Sequence, residues 1–93
     1  MTNLEIPKYT LIHYVRKNNG EPYGVLVALK GEEGYHVGYS MCRKGDRFEK
    51  RMGLQIAIGR ANFDTESHSL DNVPRDLKKV LPSFINRCKR YYK

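Results

Sequence analysis

Ninety-three residues allow one domain with a modest core, because a chain of this size buries only about 60 to 65% of its unfolded surface. Seven tyrosines, three phenylalanines and 40% hydrophobic residues exclude a disordered basic tail, and no apolar run approaches the roughly 18 residues of a membrane span. The net charge of +7 points to a polyanionic partner, above all nucleic acid.

Tyr9 to Lys17 is rich in β-branched and aromatic residues and reads as a strand over about 9–17, closed by the turn chemistry of Lys17-Asn-Asn-Gly-Glu-Pro22. A second strand, about 23–30, places Tyr23, Val25, Val27 and Leu29 on one side. Gly31-Glu-Glu-Gly34 then turns the chain into a hairpin. The third strand, about 35–42, sets Tyr35, Val37, Tyr39 and Met41 on one face and His36, Gly38, Ser40 and Cys42 on the other. The second of these faces has so little bulk that another part of the chain can approach it closely.

The period then changes. Asp46 with Glu49 three residues on has capping-box form, and Phe48, Met52, Ile56, Gly59 and Phe63 recur at helical spacing, so a helix is expected over about 46–61. Leu54, Ala57, Ile58 and Ala61 make a second apolar stripe. Gly53 and Gly59 weaken this helix by about 1 kcal/mol each relative to Ala, which suggests a backbone passing close to both. After a polar connection from Phe63 to Asn72, Asn72 can cap a further helix and Pro74 suits its first turn. Leu77, Val80, Leu81, Phe84, Ile85 and Cys88 make its apolar stripe over about 73–91. Pro82 interrupts the stripe and predicts a kink, or two short helices meeting near Leu81. The expected fold is α+β: a three-stranded antiparallel sheet followed by two helices, in one small domain.

Two segments hold the whole positive excess. Arg43 to Arg51 carries Arg43, Lys44, Arg47, Lys50 and Arg51 against Asp46 and Glu49, a local +3. Pro74 to Lys93 carries Arg75, Lys78, Lys79, Arg87, Lys89, Arg90 and Lys93 against Asp76 alone, a local +6. Folding alone would not select cations in the first turn of a helix, where the macrodipole is already positive; a phosphate suits that turn. In the last helix an ordinary surface would intersperse Glu with Lys, and here only Asp76 does so. These twelve cations are the candidate nucleic-acid contacts, to DNA or RNA. Tyr91 and Tyr92 can stack on bases or pack back on the sheet, with packing favoured. Tyr23, Tyr35 and Tyr39 can form a stacking platform or a core face, with core favoured.

Catalysis finds little support. His13, His36 and His68 show no metal-ligand spacing, and no Walker-type glycine loop occurs. Cys42 and His36 stand about 20 Å apart along one strand, too far for a nucleophile and its base. Glu32 and Glu33 alone make a weak cation site. Asp46 and Glu49, the one pair suited to a metal-dependent nuclease, are already explained by capping. No enzyme activity, cofactor or metal is expected. Cys42 and Cys88 form no disulfide framework and read as reduced thiols of a cytoplasmic protein. The N-terminus lacks the basic head and apolar stretch of a signal peptide.

The stretch Tyr35-His-Val-Gly-Tyr-Ser-Met-Cys42, followed by Gly45-Asp-Arg-Phe48 and Ile56-Ala-Ile-Gly-Arg-Ala61, resembles small proteins encoded by double-stranded DNA bacteriophages. The resemblance covers about Val25 to Ala61. It implies an accessory role in the host cell cytoplasm and no mechanism. In architecture alone, a three-stranded sheet backed by a helix is similar to the arm-binding domains of phage integrases and to plant AP2-type domains, which bind DNA. The alternative partner is a host protein, inhibited or modulated through the same basic surface.

Overall fold

A computed structural model of the chain describes residues 6–32, 34–42, 47–63 and 73–92. Three strands, β1 (Leu11–Arg16), β2 (Pro22–Gly31) and β3 (Gly34–Met41), form an antiparallel sheet in the order β1-β2-β3. Three helices follow: α1 (Lys50–Phe63), α2 (Arg75–Lys78) and α3 (Leu81–Tyr91). Gly20, at a φ of 90°, supplies the left-handed turn that joins β1 to β2. β2 and β3 meet at the Gly31↔Gly34 pair.

The sheet is covered on both faces. Alternation along β2 sends Val25, Val27 and Leu29 towards α1, where Leu54, Ala57, Ile58 and Ala61 close one cluster. Leu26 and Ala28 point the other way, into a cluster with Leu11, Val15, Val37, Val73, Leu77, Phe84 and Cys88. A sheet backed by helix on one face, as in the DNA-binding domains named above, is therefore not the architecture here. Tyr23 departs from the expected alternation. The ladder pairs Val15 with Gly24 and Arg16 with Pro22, so Tyr23 is the extra residue of a bulge and packs with the second cluster instead of with Val25.

The bare face of β3 receives α1, as its sequence suggests. A Cβ on Gly38 would stand 2.0 Å from the Ala57 carbonyl oxygen and 2.5 Å from the Ala61 nitrogen, so helix backbone lies directly on strand backbone. This contact also selects the buried stripe of α1. Small residues must face Gly38, so Leu54, Ala57, Ile58 and Ala61 are buried, while Met52 and Ile56 of the expected leading stripe are 57% and 43% exposed.

α1 begins at Lys50, four residues after the predicted start, and runs two residues past Ala61. The carbonyl of Glu49 accepts the first helical bond, from Gly53 N–H at 2.8 Å. The Phe48 ring folds back to where a Gly53 Cβ would be, 2.4 Å away, a staple between the residues flanking the first turn. Gly53 therefore makes room for a ring rather than a backbone. Gly59 has nothing within 4 Å of a Cβ, so no close approach explains it. Asp46, the expected cap, lies outside the described residues.

The predicted last helix is divided. Pro82 stands in the first turn of α3, where its missing N–H is harmless, and the chain turns at Lys79 and Val80 between α2 and α3. Pro74 is the N-cap of α2 rather than a member of its first turn, and Asn72 is outside the described residues. The apolar stripe covers the sheet through Leu77, Phe84 and Cys88, with Val80, Leu81 and Ile85 half-buried around them. Among the described residues no helix is long and apolar enough to cross a membrane.

Candidate nucleic-acid interface

The two basic segments fall on opposite faces of the sheet. Lys50 and Arg51 open α1 on one face of the sheet, whereas Arg75, Lys78, Lys79, Arg87, Lys89 and Arg90 stand on α2 and α3 over the other. Arg43, Lys44 and Lys93 lie outside the described residues. The described candidates thus do not form one surface.

On the α1 side the first turn, which starts at Lys50, holds no acidic residue, and Glu49 stands immediately before it. Arg47, Lys50 and Arg51 are exposed, and the Lys50 ammonium sits 5.4 Å from the centre of the Tyr14 ring. Part of this positive charge is therefore held against the sheet. Arg60, absent from the candidates, donates to the Tyr39 carbonyl at 3.0 Å and lies 5.2 Å over the Tyr39 ring. A groove of about 250 Å³ opens beside it. Its wall includes Met41, Phe48, Met52 and Ile56, with Arg47, Arg60 and Glu49 at its polar edge.

On the opposite side the segregation is cleaner. All six cations of α2 and α3 are exposed, and no ion pair among the described residues neutralises them. Leu77 and Phe84 anchor the two helices on the sheet, so the basic residues look outward as a consequence of the apolar stripe looking inward. Lys89 and Arg90 fall in the last turn of α3, where cations are favoured by the helix dipole. The path runs the length of the face: Leu77 sits over Gly24 at one end, and Tyr92 stacks on Tyr35 at the other.

The two terminal tyrosines take different roles. Tyr92 packs: its ring lies 5.5 Å from that of Tyr35, and its hydroxyl stands within reach of two carbonyls, of Ala28 at 2.9 Å and of Tyr9, that share its single proton. Burial, reinforced by the neighbouring Cys88 thiol, pushes this phenol up to about 12. Tyr91 is 50% exposed. Tyr23, Tyr35 and Tyr39 all pack against the core beneath α2 and α3, so the sheet offers no open stacking platform. Tyr9, on the far side of the sequence, was no candidate at all. It lines a cleft with Lys30, Glu32, Tyr91 and Tyr92 at the β2–β3 turn.

Cys88 is fully buried and its thiol is pushed up to about 11 by desolvation, only partly offset by Arg87, so it is a packing residue at neutral pH. Cys42 is half-buried in the α1 groove. Among the described residues no three His, Cys, Asp or Glu side chains gather as a metal site would require. The chain matches no protein-family model, no curated protein and no solved structure.

Proposed function

We propose that this is a small accessory protein that binds nucleic acid through phosphate contacts from the α2–α3 face and carries out no chemistry of its own. One observation carries the reading: six exposed cations on two short helices, opposed by Asp76 alone, along a face whose inner side is fully committed to the core. Lys and Arg placed this way neutralise backbone phosphates without reading sequence. A phage origin and action in the host cytoplasm belong to the proposal through the resemblance of residues 25 to 61. The test compares two variants in anisotropy titrations of labelled 20-nucleotide DNA and RNA. Changing Lys78, Lys79, Lys89 and Arg90 to Gln should weaken binding strongly at unchanged melting temperature, and changing Arg47 and Arg51 to Gln should weaken it less. Parent-like affinity in the quadruple variant rejects this face as the interface.

A second reading is favoured by the α1 groove. At about 250 Å³ it is smaller than the roughly 300 to 1,000 Å³ of small-molecule sites, and exposed Met52 and Ile56 beside Arg47 and Arg60 suit an apolar side chain on an acidic segment of a host protein. A second copy of the chain fits poorly, since it would bring like charges together. A synthetic Glu-rich peptide carrying leucines should bind the parent and lose affinity for the variant with Met52→Ser and Ile56→Ser. Equal binding to both proteins discards this reading.

A further inference from the structure

The cleft at the β2–β3 turn is the feature the phosphate-binding face leaves unexplained. Its volume of about 600 Å³ lies within the range of sites that take a nucleotide-sized group. Two of its tyrosines are exposed, Tyr9 at 58% and Tyr91 at 50%, while Tyr92 is fixed by stacking and by its hydroxyl. A single exposed aromatic is ordinary, but two lining one cleft make an exposed aromatic pair, with the Tyr91 ring set at right angles to that of Tyr92 at 4.9 Å.

The backbone presents one of them at some expense. Tyr9 has a φ of 62°, a left-handed conformation that bulky residues seldom adopt, and its carbonyl lies within hydrogen-bond reach of the Tyr92 hydroxyl. The Lys30 ammonium lies over the Tyr9 ring, 5.0 Å from its centre, which places a cation on one face of that ring. The cleft also adjoins the last turn of α3, with Lys89 and Arg90. An aromatic wall, a neighbouring cation and a basic approach are the parts with which single-strand binders hold a base and its phosphate.

We infer that the Tyr9–Tyr91 cleft takes one unpaired base of a strand whose phosphates lie along α3, so that the protein prefers single-stranded to duplex nucleic acid. The inference rests on the phosphate-binding reading of the α2–α3 face. Stacked, paired bases of a duplex cannot enter a cleft of this kind, whereas their phosphates remain available to α3. Lys30 is placed for the phosphate of the inserted nucleotide, and the Glu32 carboxylate for a hydrogen bond from a base N–H, such as the N3–H of thymine.

The chain contains no tryptophan, so Tyr91→Trp gives a unique reporter at the cleft. Its fluorescence should be quenched by a 12-nucleotide oligo(dT) and not by a 12-base-pair duplex. Tyr91→Ala should weaken oligo(dT) binding about 5-fold or more, the range of a lost base–aromatic stack, and leave duplex affinity within about twofold. Tyr91→Phe should restore the parent value. Tyr9→Gly, which removes the ring while keeping the backbone conformation, should reproduce the loss without lowering the melting temperature. Equal effects on both nucleic acids, or no effect on either, overturn the cleft. If the quadruple α2–α3 variant loses both ligands while Tyr91→Ala loses neither, the phosphate-binding reading stands and only the cleft fails. A parent protein that binds neither oligonucleotide overturns both.

Discussion

The two faces of the sheet are built on opposite plans. Beneath α1 the closest approach is made of small residues, Gly38 against Ala57 and Ala61, with Leu54 and Ile58 packed around it, so backbone proximity fixes the helix and leaves Met52 and Ile56 outside. Beneath α2 and α3 the contact is made of large ones, Leu26, Leu77 and Phe84, and the charged residues are outside. The same strands therefore support a mixed outer surface on one side, where Met52 and Ile56 stand among Arg47, Lys50, Arg51 and Arg60, and a basic one on the other. A small domain can in this way present two different surfaces without a second core.

The sharpest way to break the small-residue face is Gly38→Val. The obstacle is main chain, which cannot rotate away, so the effect should exceed the usual overpacking penalty of about 1 to 3 kcal/mol, and thermal melting should lose its cooperativity. On the large-residue face Phe84→Ala should leave a folded but weakened protein, losing about 3 to 5 kcal/mol by urea denaturation. If Phe84→Ala proves more damaging than Gly38→Val, the contrast between the faces is wrong.

Alkaline pH probes the large-residue face. Burial raises Cys88 from 9.0 to about 11 and Tyr92 from 10.0 to about 12. The unfolded chain loses these protons first, so the stabilising difference is complete below about pH 9 and is lost as pH rises through 11 and 12. Urea midpoints should be flat near pH 8 and fall steadily from pH 9 to 12, and Cys88→Ala should flatten the earlier part of that fall. The smallest effect belongs to Gly59, a helical glycine with open space around it. Gly59→Ala should raise stability by about 0.5 to 1 kcal/mol in the same assay, where Gly38→Val is ruinous.

These glycines also show what could be read before the structure. The alternation along the strands, the close approach to Gly38 and the division at Pro82 were legible because each follows from local periodicity or from the chemistry of one residue. The rotation of α1 was not, because two stripes competed and only the partner surface decided between them. Tyr23 was misplaced because a bulge has no composition of its own. The candidate interface was legible as charge but not as geometry, since sequence distance does not tell which face of a sheet a helix will cover. The Tyr9–Tyr91 cleft joins the two ends of the chain, and no local signal announces such a pairing.

The central claim is that the basic α2–α3 face neutralises phosphates, and the salt dependence of binding measures this most directly. On single-stranded DNA each contact contributes about −0.7 to the slope of log K against log salt, so three to six contacts predict a slope between about −2 and −4. Replacing Lys78, Lys79, Lys89 and Arg90 by Gln should make that slope shallower by up to about 2.8. A parent slope near zero, or an unchanged slope in the quadruple variant, would contradict the claim.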